Sequence, residues 1–230
     1  MNNYIGIDIS INSTAIYIES DKGMKIISFT NKKDNNVYIK ELNNHGVEFE
    51  HINRRKSKNY SENEVIKLRH YDEVATMILD KCNKYININE NTYCQIEGYS
   101  FSKNTSSILD IVSFSTLIRS YLLKNIPRLE MSIISPSSLK LEACKLSYKP
   151  IDIGIRKPKL IYTNNDGVAG GSFKKHEMYK AILDGNISTP INKMLKDYIH
   201  LLDRKSIPNP IEDIIDSIFA CKVKIKEIEK

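Results

Sequence analysis

Three short isoleucine-rich segments follow one another at the start of the chain and constrain its fold most strongly. Residues 4–10, 14–20 and 24–30 carry β-branched side chains at alternate positions, which is the period of a half-buried strand. Turn-favouring residues separate the segments at 12–13 and 21–23. We therefore predict an antiparallel three-stranded meander at the N-terminus.

Strand and helix patterns alternate through the rest of the chain. The predicted elements are a helix opened by a Ser61–Glu64 capping box, a strand at 92–98, a helix at 104–124, a strand at 129–135, a short helix from 136, helices at 173–183 and 189–203, and a last helix opened by Asn209 and Pro210. This order predicts an α/β fold with a mixed five-stranded sheet flanked by helices. We expect one domain over residues 1–230, with polar insertions at 31–60 and 145–172.

Composition narrows the class of protein. The chain has 34 basic and 28 acidic residues, and the net charge of +6 is compatible with a polyanionic partner without requiring one. Its four cysteines show no metal-binding spacing, so we expect reduced core thiols and a cytoplasmic protein, in the host cytoplasm if the source is a virus or phage. We expect no secretory signal, because strand pattern follows MNN directly, and no membrane span.

Four acids stand in apolar surroundings. Asp8 interrupts the first strand, Glu97 lies near the end of the strand at 92–98, and Asp213 and Asp216 share one face of the last helix. Each has an ordinary interpretation, as a solvated strand residue or as an acid that complements the helix dipole, which is how we interpret Glu212. Like charges three residues apart repel one another, however, and this face continues with small residues suited to close packing against a sheet.

Together the four acids suggest a site for hard divalent cations. Oxygen-only ligation suits Mg²⁺, with Mn²⁺ as a substitute, better than zinc. Two such ions about 3.5–4 Å apart can hold the attacking and leaving oxygens of a phosphodiester displacement. The sequence thus favours metal-dependent phosphoryl chemistry.

In the order of these patterns the chain resembles the RuvC-type Holliday-junction resolvases of the RNase H-like superfamily, especially divergent phage and viral members. The similarity rests on GID around Asp8, on IEGYSFSKN from Ile96, on PSSLK from Pro136, on GSFKK from Gly171 and on the terminal DxxD. It covers residues 4–30, 62–140 and 170–224. An aromatic residue often found three positions after the glutamate is replaced here by Ser100, between Tyr99 and Phe101.

This resemblance implies an RNase H-like fold and a structure-selective endodeoxyribonuclease that cuts four-way DNA junctions as a homodimer. The implied ligands of two Mg²⁺ ions are Asp8, Glu97, Asp213 and Asp216, and Lys175 is implied to act with them in catalysis. The implied DNA contacts are Lys103, Asn104, Lys140, Lys174, Lys175, Tyr99 and Phe101. For the lysines a solvated surface position is an equally good interpretation, and for the aromatics a core position is.

Three other functions stay open at the sequence level. The first is a nuclease of the same fold that cuts flaps, other branched DNA or RNA/DNA hybrids. The second is an actin-like ATPase, although DISINST at residues 8–14 lacks the glycine expected in its phosphate loop. The third is a DNA-binding module without catalysis, which the complete set of acids disfavours.

Overall fold

The structure is a computed structural model that describes residues 1–33, 35–53, 56–99, 105–154, 159–169 and 172–229. Its strands are β1 (Asn3–Asp8), β2 (Ser13–Ser20), β3 (Gly23–Thr30), β4 (Glu48–His51), β5 (Thr92–Glu97), β6 (Leu129–Ile134), β7 (Pro150–Asp152) and β8 (Leu160–Tyr162). Its helices are α1 (Val37–Asn44), α2 (Tyr60–Tyr85), α3 (Thr105–Asn125), α4 (Pro136–Ser147), α5 (Lys175–Leu183), α6 (Asn192–Asp197) and α7 (Ile211–Ile228). None of the helices in these ranges is long and apolar enough to cross a membrane.

The main sheet has six strands in the order β4-β3-β2-β1-β5-β6. The predicted meander is confirmed, because β2 pairs antiparallel with both β1 and β3. The pairs β3–β4, β1–β5 and β5–β6 are parallel. Five strands therefore end at one edge of the sheet, which we call the carboxyl edge, and only β2 runs the other way.

The sheet divides the apolar core into two layers. Ile5 and Ile7 of β1, and Ile9 just after it, pack with α2 and α3 on one face, whereas Tyr4 belongs to the layer that includes α4, α5 and α7 on the other. Successive side chains of a strand point to opposite faces, so these isoleucines share one face and Tyr4 lies on the other. Asp8 is thereby turned toward the α7 side, at the carboxyl edge.

Gly6 lets α7 approach the sheet closely. A Cβ atom at this position would collide with the Ser217 carbonyl oxygen and with the Cys221 backbone nitrogen. The small residue Ser217, predicted to suit close packing, is fully buried at this contact. The contact fixes the start of α7 beside the end of β1.

The segment 31–60 was predicted as a loop or insertion and instead contains α1 and β4. Strand β4 is the sixth strand that the prediction lacked. It is tied to α2 by Glu48, whose carboxylate accepts hydrogen bonds from Lys81 and Tyr85. The sequence of β4 did not predict a strand, because Glu48 and Glu50, which pair with Lys81 of α2, stand where apolar side chains would be expected.

Other boundaries also differ from the sequence prediction. The capping box at Ser61 is wrong, because the N-cap of α2 is Asn59, two residues earlier, and its side chain accepts the bond from the Glu62 backbone N–H. Helix α7 begins at Ile211, one residue later than predicted, with Pro210 in the capping position. The predicted loop at 145–172 contains the hairpin β7–β8, and the predicted helix at 189–203 is divided into α6 and a 3₁₀ helix at Ile199–Asp203.

Candidate metal centre and surrounding cleft

Asp8 and Glu97 meet at the carboxyl edge of the sheet. They are the last residues of β1 and β5, which are neighbouring parallel strands with Ile7 opposite Ile96. Asp216 reaches the same point from α7. One carboxylate oxygen from each of these three residues lies within 4.8 Å of the other two. Three segments distant in the sequence thus place their acids in one cluster.

Asp213 lies one helical turn before Asp216 and faces the same cleft. Asp213 is 6% exposed and Asp216 is 1% exposed, so neither is a solvated helix-end acid. Asp213 lies outside the three-residue cluster but close enough to Asp8 to influence its ionisation. The structure therefore brings all four predicted acids to one cleft, with three of them in closest contact.

Lys175 pairs directly with one of the acids. It is the first residue of α5, forms an ion pair with Asp216, and lies 3.7 Å from a carboxylate oxygen of Glu212. Lys140 of α4 also lines the cleft. Lys174 is exposed at the position preceding α5, where its backbone N–H donates to the Glu177 carboxylate at 2.7 Å.

The aromatic residue Tyr99 lines the cleft just beyond Glu97. Its ring lies 5.0 Å from the guanidinium carbon of Arg119, a cation–π contact that fixes one side of the ring. Ser100, Phe101, Lys103, Asn104 and Gly171, which carried part of the resemblance, lie outside the described residues.

The cleft has a volume of about 370 Å³. Residues that were not predicted to act in the site also line it, namely Ile9, Ser10, Gly98, Ile111, Pro136 and Glu212. Glu212 is the most consequential of them, since we had assigned it only to the helix dipole. Its proximity to Asp213 was visible in the sequence, but its contact with Lys175 depends on how α5 packs against α7.

Burial governs the ionisation of the acids. It raises the pKa of Asp8 well above the usual range, and the negative charges of Glu97 and Asp213 raise it further. Burial likewise raises the pKa of Asp213 to about 6. It also raises the pKa of Glu97, although the charges of Lys175 and Lys140 oppose the shift. The cleft concentrates more negative charge than its two lysines neutralise.

The donor set fits a hard divalent cation. All three members of the cluster offer carboxylate oxygens, and the described cleft has no sulfur or imidazole among its lining residues. The Oδ2 atom of Asp213 is also buried without a hydrogen-bond partner. A buried polar atom of this kind is costly unless a cation or donor satisfies it.

The raised pKa values predict how metal-free stability depends on pH. The folded state holds protons on Asp213 up to about pH 6, whereas an unperturbed aspartate titrates near 3.8. The folded state therefore binds more protons than the unfolded chain in this window, and the free energy of unfolding falls as pH rises from about 4 through 6. A bound cation would replace those protons.

We expect MgCl₂ to raise the melting temperature more at pH 7.5 than at pH 5. At a hundredfold excess over Kd the gain at pH 7.5 is about 2.7 kcal/mol, or roughly 5–10 °C for a chain of this size. Differential scanning fluorimetry with NaCl of equal ionic strength as the control measures it. Equal shifts for Mg²⁺ and Na⁺ at pH 7.5 would contradict the metal site.

Comparisons with known proteins show which fold this architecture resembles. No protein-family model and no curated protein matches the sequence. Among solved structures, the chain superimposes on RuvC from T. thermophilus bound to a Holliday-junction substrate, with a TM-score of 0.51 over 100% of this chain and 96% of that one. The chain has a RuvC-type fold. The two sequences are only 6% identical.

The RuvC-type fold confirms the predicted RNase H-like class, with one strand more than expected. A yeast mitochondrial Holliday-junction resolvase, Ydc2, is also found, at 10% identity and a TM-score of 0.46 over 96% of this chain and 77% of that one. At 6% identity, the property shared with the T. thermophilus protein is the fold. The function has to be argued from the cleft itself.

Proposed function

We propose that this protein is a metal-dependent endodeoxyribonuclease that cuts four-way DNA junctions. The observation that carries the proposal is the convergence of Asp8, Glu97 and Asp216 at the carboxyl edge of a RuvC-type sheet. Such an oxygen-rich cluster suits metal-assisted phosphodiester hydrolysis. The similar T. thermophilus structure contains a Holliday-junction substrate, which supports branched DNA as the substrate class.

The four acids would hold Mg²⁺, with Mn²⁺ as a substitute, and two ions per site are part of the proposal. When bound, these ions supply positive charge to the attacking and leaving oxygens of the phosphodiester. Asp8, Glu97 and Asp216 would serve as the shared ligands, and Asp213 would complete the set through its unpartnered oxygen. The surrounding apolar core excludes water behind the carboxylates and holds them in place.

Lys175 and Lys140 have a separate role in the proposal. Both line the cleft, so their ammonium groups would offset phosphate charge at the scissile position. Lys175 would leave Asp216 when a cation binds there, and Glu212 at 3.7 Å offers it a second partner within the cleft. Tyr99 presents a ring on which an unpaired base of the junction could stack.

Several elements of the proposal rest on the resemblance. Lys103, Asn104, Lys174 and Phe101 are proposed as further DNA contacts. A homodimer is proposed because symmetric resolution of a junction requires two cuts in opposing strands. We also propose that 31–60 and 145–172 are additions to a single nuclease domain.

The substrate class is tested by comparing cleavage of several labelled DNAs. We expect Mg²⁺-dependent nicks near the branch point of a four-way junction, and at least tenfold slower cleavage of a linear duplex of the same sequence. A 5′-flap and an RNA/DNA hybrid complete the panel. Preferential cutting of the flap or hybrid would support a nuclease whose substrate is not the four-way junction. Nucleotide binding without cleavage of any DNA would favour the ATPase alternative.

A further inference from the structure

A second, polar pocket lies beside the acidic cleft and has no role in the proposed chemistry. Its volume is about 230 Å³. We call it the asparagine pocket, because three of its lining residues are asparagines. The lining residues are Ile11, Asn12, Asn31, Ile52, Asn53, Lys56 and His70. Two of these positions lie in the turn after β1, one directly follows β3, three follow β4, and the last lies in α2.

The two sites share one edge of the sheet. Asp8 and Ser10 line the acidic cleft, and Ile11 and Asn12 line the asparagine pocket, so the β1–β2 turn separates them. Strands β3 and β4 end at the same carboxyl edge as β1. Because β4 is three strands from β1 and neighbouring strands lie about 4.8 Å apart, the far wall of the pocket is roughly 14 Å from Asp8.

The pocket has the chemistry of a phosphate-binding surface. Its described lining contains three amide side chains, a lysine and a histidine, and no carboxylate. Amide and lysine N–H groups are common donors to the nucleic-acid backbone. The adjoining sequence from His51 to Lys58, HINRRKSK, carries only basic charges, although Arg54 and Arg55 lie outside the described residues.

A hydrogen bond orients one of these donors. The Asn31 side-chain amide donates to the Asn12 side-chain oxygen at 3.2 Å, and the Asn31 backbone N–H donates to the Asn12 carbonyl at 3.1 Å. Since the side-chain oxygen of Asn12 faces Asn31, its amide group points away from that residue. The turn beside the acidic cleft is thereby held with a donor available on its exposed side.

We propose that the asparagine pocket binds backbone phosphates of the DNA strand that passes the acidic cleft. This inference rests on the proposed function and extends it by assigning a second contact on the same substrate. A duplex strand advances about 3.4 Å per nucleotide along the helix axis, so the contacted phosphates lie within about four nucleotides of the scissile one. Four of the lining residues, Asn31, Ile52, Asn53 and Lys56, belong to the segment 31–60, which the sequence prediction treated as an insertion.

The test compares Lys56→Ala with Lys124→Ala. Both residues are exposed, but Lys124 lies at the end of α3, at the opposite edge of the sheet from the cleft. Binding of a fluorescent four-way junction is measured by anisotropy in EDTA over a salt series. We expect Lys56→Ala to lower the slope of log K against log salt by about 0.9 and to weaken binding several-fold. Lys124→Ala should match the wild type in both.

A methylphosphonate series gives the position of the contact. Neutralising one phosphate at a time within four nucleotides of the nick should weaken wild-type binding at one or two positions. At those positions the difference between wild type and Lys56→Ala should disappear, because the charge that Lys56 contacts is already gone. A series in which no position removes this difference would place Lys56 away from the substrate strand and overturn the proposal.

Cleavage separates failure of the inference from failure of the function. If the wild type nicks the junction and Lys56→Ala binds with the affinity and slope of Lys124→Ala, the phosphate contact is refuted while the nuclease stands. If the wild type nicks no substrate, the proposed function fails whatever the binding result. At saturating protein in Mg²⁺, the control Lys124→Ala should nick at the wild-type rate within about twofold, since Lys124 lies at the other edge of the sheet.

Discussion

The Asp216→Asn variant is expected to nick a four-way junction about a thousandfold more slowly than the wild type, while binding it with similar affinity. Asp216 is 1% exposed and belongs to the cluster in which three carboxylate oxygens lie within 4.8 Å of one another. Asparagine keeps the shape but removes the charge that a cation requires. A thousandfold loss corresponds to about 4 kcal/mol of transition-state stabilisation, a reasonable cost for a damaged metal site.

Binding and cleavage should separate because different residues support them. Phosphate contacts made by lysines do not need the carboxylate, so affinity in EDTA should change by less than about threefold. The matched control is Glu227→Gln, which removes one acid from the far end of the same helix, where the side chain is largely exposed. This control should nick at the wild-type rate. Nicking at the wild-type rate by Asp216→Asn would show that Asp216 is not a metal ligand.

Replacing Gly6 by alanine should have the largest effect on stability. The new Cβ would collide with backbone atoms of Ser217 and Cys221, which cannot move without shifting α7. Overpacking of a buried contact costs about 1–3 kcal/mol and sometimes more, and we expect about 3 kcal/mol or more here because the clash is with backbone. The urea midpoint of unfolding measures this loss.

The same substitution should also weaken metal binding, since α7 carries Asp213 and Asp216. A displacement of about 1 Å in a catalytic group can cost a hundredfold in rate. Gly98→Ala is the graded control for stability, because its Cβ would meet its nearest atom, the Ile134 carbonyl oxygen, at 3.2 Å. We expect it to lose about 1 kcal/mol or less. Equal stability of Gly6→Ala and the wild type would contradict the close α7 packing.

Much of the site could be predicted from the sequence because its signals are local. Asp8 breaks a regular strand pattern, and Asp213 and Asp216 share a helix face with small residues. Each signal alone had an ordinary explanation. The acids lie together because of the topology. Strands β1 and β5 are adjacent and parallel, and α7 packs closely against β1 at Gly6.

What the sequence did not predict depends on tertiary contacts. Strand β4 carries charged residues that pair with Lys81 and Tyr85 of α2, so its sequence lacks the alternation of apolar and polar residues that predicts a strand. Glu212 was interpreted as a helix-dipole acid, and only the packing of α5 brings Lys175 within 3.7 Å of it. The asparagine pocket likewise joins four segments that have no shared sequence pattern.

The most direct test of the central claim is a nicking assay with wild-type and Asp216→Asn protein purified in parallel. Each is incubated with a labelled four-way junction and with a linear duplex of the same sequence, in Mg²⁺ and in EDTA. We predict nicks near the branch point only for the wild type, only in Mg²⁺, and at least tenfold faster than on the duplex. Equal nicking by both proteins, or nicking in EDTA, would contradict a metal-dependent nuclease centred on these carboxylates.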